Sequence, residues 1–223
     1  MNLHDLFIKP YESYSTLQIS IETIATIFGI WSVYFSIKKN IWVYPTGLIS
    51  TGLYIYICYT FGLYGDSLIN FYYTVMSIYG WISWSKHTDD NIHINVERAT
   101  PKDWLQSCFL FLIAAVVICL VYYYQPFINN GFSSENLKLG WHDLDWANWV
   151  DVLTSSTFLV GMWLMARRKL ENWIFWIIGD FLCIPMMIYK GLGITSIQYI
   201  VFTTMAIIGY MEWKKAYHQQ QKS

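Results

Sequence analysis

Residues 62–86 read GLYGDSLINFYYTVMSIYGWISWSK, and residues 191–215 read GLGITSIQYIVFTTMAIIGYMEWKK. At an offset of 129 the two stretches share Gly, Leu, Ser, Thr, Met, Ile, Gly, Trp and Lys at nine positions without a gap. The same offset lays Lys38 and Lys39 on Arg167 and Arg168, and Glu22 on Asp151. Self-similarity at a fixed period marks a duplicated structural unit. Each copy is apolar, ends in a Trp followed by Lys, and is long enough to cross a bilayer, which takes about 20 residues at 1.5 Å each.

Working outward from this pair, seven apolar stretches have that length, near 18–37, 42–60, 66–84, 104–124, 146–166, 172–190 and 194–213. Pro45 and Pro185 fall inside them, which a helix bundle tolerates where neighbours satisfy the freed backbone. The expected fold is all-α and integral to the membrane, with helices 1–3 and 5–7 as parallel repeats joined by a linker helix. An odd number of helices is needed to bring the chain back in the same orientation, and helix 4 supplies it. Parallel repeats flanking a single linker helix are a transporter architecture, in which the substrate site lies near the midplane between the halves.

The expected divisions are a segment at 1–17, a first unit at 18–86, a linker, helix 4 and loop at 87–145, a second unit at 146–215 and a tail at 216–223. Lys and Arg stay on the cytoplasmic side of short loops. With the N-terminus outside, Lys38, Lys39, Lys86, Arg98, Lys102, Arg167, Arg168, Lys169, Lys214, Lys215 and Lys222 lie inside, eleven of the fourteen basic residues. Only Lys9, Lys138 and Lys190 then lie outside. The first 14 residues lack the basic region and cleavage site of a signal peptide, so the first apolar run is expected to stay in the mature protein.

Composition agrees. The 223 residues are 55% hydrophobic and only 13% charged, against about 25% charged in soluble domains. The modest mean hydropathy of +0.33 reflects 12 Trp and 18 Tyr, residues suited to interfaces and cavity walls. A net charge of -1, with no basic face, excludes a nucleic-acid partner. Cys58, Cys108, Cys119 and Cys183 lie in apolar runs and read as free thiols. All five histidines fall outside the spans, and there is no HExxH, phosphate loop or paired nucleophile and base, so an enzyme, a metal site and a cofactor are not expected.

The candidate substrate site centres on WIFWIIGD. Asp180 falls near the middle of helix 6, where a charge costs at least ~2.5 kcal/mol and so must face a cavity or a partner. Trp173 and Trp176 precede it at the i, i+3, i+7 spacing of one helical face. Two indoles and a carboxylate on one stripe suit a flat cationic ligand, through stacking, cation–π attraction and charge pairing. The alternative is that the indoles anchor the helix at the interface and Asp180 pairs with a Tyr or Asn. Asn70, Tyr73 and Ser77 share a face of helix 3, and helix 7 offers Gln198, Tyr199 and Thr203. Their amides and hydroxyls can read a ligand or join helices. Glu22 and Asp151 are expected to be structural, as helix caps or at an outer gate. The segment 87–101 is expected to be a short hairpin or a flexible linker.

LENWIFWIIGD, the following Lys190-Gly191, Tyr199 and GYMEWKK, with the equivalent SIYGWISWSK, resemble the PnuC family of vitamin transporters over essentially residues 20–217. The resemblance implies a seven-helix carrier of the bacterial inner membrane, with an architecture like that of the SWEET sugar transporters. It also implies a homotrimer that takes up nicotinamide riboside, or in related subgroups thiamine or riboflavin, by facilitated diffusion, with trapping by a cytosolic kinase. Trp173 and Trp176 match the pair on which the family stacks the vitamin ring. Asp180 stands where some nicotinamide riboside carriers have Asn, and Asn70 where a Gln is familiar. Both departures leave nicotinamide riboside and thiamine, two flat cations, open as substrates; a non-transporting receptor or assembly subunit is a further alternative.

Overall fold

The computed structural model describes residues 4, 12, 14–61, 64–88, 93–131, 140–141 and 144–222. Lys9, Gly62, Lys138, His142 and most of the 132–145 loop lie outside the described residues. Seven described helices follow one another: α1 (Thr16–Ile37), α2 (Val43–Thr60), α3 (Tyr64–Ser85), α4 (Pro101–Asn129), α5 (Trp146–Ala166), α6 (Asn172–Tyr189) and α7 (Gly193–Gln220). These match the expected spans, except that α4 and α7 are longer. The residues expected as a tail at 216–223 continue α7 as far as Gln220.

Five of these helices, α1, α4, α5, α6 and α7, are long and apolar enough to cross a membrane. α2 and α3 have comparable lengths, but Thr46, Ser50 and Thr51 in one and Asp66, Asn70, Thr74 and Ser77 in the other dilute their apolar character.

Local chemistry fixes the helix ends. Ser15 and Gln18 form a reciprocal capping box on α1, Thr100 and Asp103 on α4 with Pro101 at the first helical position, and Asp145 and Asn148 on α5. Each box satisfies amide donors that the first turn leaves unpaired.

Two turns are built alike. Lys39 (φ 58°) and Arg168 (φ 61°) are left-handed. Their amides bond back to Ser36 O (2.9 Å) and Met165 O (2.8 Å), and the next amides, of Asn40 and Lys169, bond to Phe35 O and Leu164 O at 2.9 Å. This is the Schellman ending of a helix, made by non-glycine residues at positions 129 apart.

α1, α2 and α3 pack in sequence, as do α5, α6 and α7, and α4 lies along α5. The halves meet through α3 with α5 and α1 with α7. At the basic end the contacts are reciprocal: Trp84 Nε1 donates to Met165 O (3.1 Å) and Trp213 Nε1 to Ser36 O (2.8 Å). Both indoles are fully buried, their centroids 6.0 Å apart. The pattern recurs elsewhere, as Ser67 Oγ donates to Ile55 O and Ser196 Oγ to Ile184 O. A Cβ on Gly80 would stand 2.4 Å from the Tyr44 ring, and one on Gly209 2.5 Å from the Trp173 ring.

Thr88 and Ile94 pair as an isolated antiparallel bridge, in keeping with the short hairpin expected there, and the segment 93–100 is not a loose linker. It runs beneath both halves as a strap, with Ile94 N on Lys39 O (3.1 Å), Glu97 N on Arg168 O (3.0 Å) and Leu170 N on Glu97 O (2.8 Å). Ile94 and Val96 are buried in the core with Trp84, Trp173 and Trp213, which supplies the apolar burial that the sequence pattern of this segment conceals. Ion pairs fasten it further: Arg98 to Glu171 (2.5 Å), and Arg168 and Lys169 to Glu97 (2.7 Å each). Asp103 takes Arg167 (3.0 Å) and Lys169 (3.4 Å).

At the opposite end Asp151 does not cap α5, a role held by Asp145. Its carboxylate accepts from the Tyr122 hydroxyl of α4 and lies 3.9 Å from Lys190 Nζ. Asp151 therefore ties α5 to α4 and to the end of α6.

Candidate functional site

Midway along α6, two missing side chains make room for an aromatic group. A Cβ on Gly161 of α5 would lie 3.2 Å from the Trp176 ring, and one on Gly179 would lie 2.3 Å from Phe158. Glycine at both places lets each ring lie against the facing helix. Phe158 stacks on Trp176 (centroids 5.4 Å, planes 27° apart) and lies parallel to Tyr199 of α7 (6.5 Å, 6°). Tyr73 of α3 closes the group from the other half, 6.4 Å from Trp176. α3, α5, α6 and α7 thus converge on one aromatic site.

Asp180 sits beside this group, directly after Gly179. It is 5% exposed and, among the described residues, its carboxylate has no hydrogen-bond or ion-pair partner. Tyr73 and Tyr199 both lie within electrostatic reach of it. Cys183, one turn further on, has the Thr154 and Tyr199 hydroxyls beside its thiol. A buried carboxylate without a partner is costly, and a cation stacked on the neighbouring rings would offset that cost.

The structure separates the two tryptophans that sequence spacing places on one stripe. Trp173 is 2% exposed, meets Trp213 edge to face at 5.7 Å and is wedged against Gly209. Its neighbourhood is the core at the basic end, and its equivalent 129 residues earlier is Tyr44, wedged against Gly80 in the same way. Trp176 alone of the pair joins Phe158, Tyr73 and Tyr199.

The other candidates are distributed. Asn70 Nδ2 bonds to Asp66 O (2.9 Å) and Thr203 Oγ1 to Tyr199 O (2.8 Å), each within its own helix. Ser77 is buried near Gly47 of α2. Gln198 lies near the Tyr54 hydroxyl of α2, which is hydrogen-bonded to Thr26 of α1 at 2.8 Å. Sequence reasoning missed Phe158, and with it the whole contribution of α5, the most enclosed of the five apolar helices. The available signal was the run Thr154-Ser155-Ser156-Thr157 before Phe158, four hydroxyls in mid-span where lipid contact would be unfavourable.

Several known proteins are similar to this chain. It is 28% identical over 206 residues to the nicotinamide riboside transporter PnuC of Neisseria mucosa, covering 86% of this chain and 71% of the relative. It is 26% identical over 210 residues to PnuC of Escherichia coli, covering 86% and 84%. The crystal structure of the vitamin B3 transporter PnuC superimposes with a TM-score of 0.65, at 24% identity, over 90% of this chain and 83% of that one. The model of the nicotinamide mononucleotide transporter family matches residues 19–215. With that match spanning nearly every helix, the chain belongs to this family, that of the PnuC carriers, as a multi-pass bacterial membrane protein.

Proposed function

We propose that this chain carries nicotinamide riboside across the bacterial inner membrane by facilitated diffusion, with a cytosolic kinase trapping the vitamin as its phosphate. The observation that carries the reading is the buried Asp180, without a partner among the described residues, beside the rings of Trp176, Phe158, Tyr73 and Tyr199. The pyridinium would stack on Trp176 while Asp180 offsets its charge. Tyr73, Tyr199 and, after side-chain rearrangement, Asn70, Ser77, Gln198 and Thr203 would bind the amide and ribose. Trp173 holds the floor of the site through its packing. The names of the PnuC relatives support the choice of substrate.

In this reading residues 18–86 and 146–215 are parallel three-helix repeats with α4 as linker, all seven helices span the bilayer, and the architecture is SWEET-like. The contacts repeated at an interval of 129 residues support it. The N-terminus lies outside, the C-terminus and strap lie in the cytoplasm, and the functional unit is a homotrimer. Trp84, Trp213 and the strap pack the two units together at the basic end, and rocking of the two units would open that end.

Isothermal titration of the purified protein with nicotinamide riboside, thiamine and riboflavin tests the substrate. Nicotinamide riboside should bind, and Trp176→Ala should abolish binding while leaving a folded, membrane-inserted protein. Binding of thiamine alone would replace the substrate and keep the site, since Asp180 suits either cation. Binding without entry into sealed vesicles would overturn the carrier reading in favour of a receptor.

A further inference from the structure

The two left-handed turns that end α1 and α5 share their backbone but not their charge balance. Both Lys39 and Arg168 offer their carbonyl to the strap, to Ile94 N and Glu97 N respectively. Arg168 then finds Glu97 at 2.7 Å. Lys39 has no ion-pair partner among the described residues. It lines a broadly open cavity of about 370 Å³ with His93, Ile94, Asn95, Ala216, Gln219 and Gln220.

The surroundings are electropositive and ordered. Burial pushes the Lys39 ammonium below its usual range; Glu212 acts against this, and Lys38 and Lys215 add to it. Three ammonium groups and one carboxylate therefore share this neighbourhood. The wall is fixed, since Gln220 Nε2 donates to Asn95 Oδ1 (2.5 Å) and Gln220 Oε1 accepts from Val96 N (3.2 Å).

We propose that this cavity binds a phosphate-bearing anion, with Lys39 as its charge anchor and Lys38 and Lys215 adding to the local field. A phosphate monoester carries a charge of about −1.5 to −2 at neutral pH, which fits three cations better than a carboxylate does. Its source is a soluble phosphate ester or a lipid headgroup. On the orientation proposed above the cavity opens to the cytoplasm, where trapping by phosphorylation would produce such an ester, so occupancy would report the product to the carrier.

The test uses the full chain in nanodiscs, with Lys39→Asn as the principal variant because Asn tolerates a left-handed backbone, and Lys39→Arg as the charge-preserving control. In phosphatidylcholine discs, nicotinamide mononucleotide and inorganic phosphate are titrated. In discs containing phosphatidylglycerol, thermal stabilisation over phosphatidylcholine is measured. Binding in the first arm that Lys39→Asn weakens about ten-fold or more, and Lys39→Arg retains, supports a soluble ester. Stabilisation in the second arm alone, lost in Lys39→Asn, supports a lipid headgroup. Responses equal in wild type and Lys39→Asn in both arms, or nucleotide binding lost in Trp176→Ala instead, overturn the proposal. Titration with nicotinamide riboside reads the central site separately and should be unchanged by Lys39→Asn.

Discussion

Replacing Gly179 by alanine should damage both stability and ligand binding, because the new methyl group collides with the ring that organises the site. Its carbon would stand 2.3, 2.8 and 2.9 Å from three atoms of Phe158. Carbon atoms rest at about 3.5–4.0 Å, so the ring must retreat by roughly 1 Å or more. Overpacking of this kind costs about 1–3 kcal/mol, less up to about 1 kcal/mol recovered from the better helix propensity of alanine. At about 2–4 °C per kcal/mol for a chain of this size, melting should fall by several degrees. Phe158 also positions Trp176 and Tyr199, so affinity for nicotinamide riboside should drop about ten-fold, or about 1.4 kcal/mol. Thermal melting in detergent and isothermal titration measure the two effects. Gly52→Ala is the control, since nothing lies within 4 Å of a Cβ there. Adding Phe158→Leu to Gly179→Ala should restore the melting temperature without restoring affinity. A Gly179→Ala protein that melts and binds like the wild type would refute the aromatic packing described for the site.

Three further outcomes are expected. Trp84→Phe and Trp213→Phe each strand a buried carbonyl, Met165 O or Ser36 O, and should destabilise by similar amounts of about 1–3 kcal/mol; one silent variant in thermal melts would argue against the reciprocal closure. Asp180→Asn should weaken nicotinamide riboside about ten-fold or more while changing the affinity of uncharged nicotinamide little, and equal losses in parallel titrations would remove the charge-pairing role. Burial alone would raise Glu97, but its hydrogen bond to Lys169 and the charges of Arg168 and Lys169 hold its carboxyl below the usual carboxylate range. Because the folded value is depressed, the stability from Glu97 is present above the ordinary carboxylate titration near pH ~4 and is lost as pH falls through the lower folded value. Melting profiles should therefore decline in acid, and Glu97→Gln should flatten part of that decline.

The interval of 129 residues, read as identities, turned out to relate contacts. Trp84 and Trp213 are legible as equivalents in the alignment, yet nothing in it says that each donates to the helix end of the other half. The strap illustrates a different limit. Ile94 and Val96 alternate with polar residues in a stretch too short to carry periodicity, so their burial follows only from the placement of both Schellman turns above them. The site itself was half legible. Asp180, Trp176, Tyr73 and Tyr199 stand out because a charge and large polar aromatics in mid-span need a reason, whereas Phe158 is an ordinary apolar residue until Gly179 admits its ring.

By itself the sequence determined the helices, their approximate ends, the duplicated pattern and the residues too polar for lipid, because span length, capping and the cost of burying polar groups act locally or along a single helix. Tertiary structure alone decided that Trp173 packs in the core and Trp176 in the aromatic group of the candidate site, that α5 contributes Phe158, and that Arg168 pairs with Glu97 while Lys39 has no ion-pair partner among the described residues. Those outcomes depend on which neighbouring helix presents a glycine, a carbonyl or a carboxylate at a given depth, and that proximity exists only once the two halves have packed.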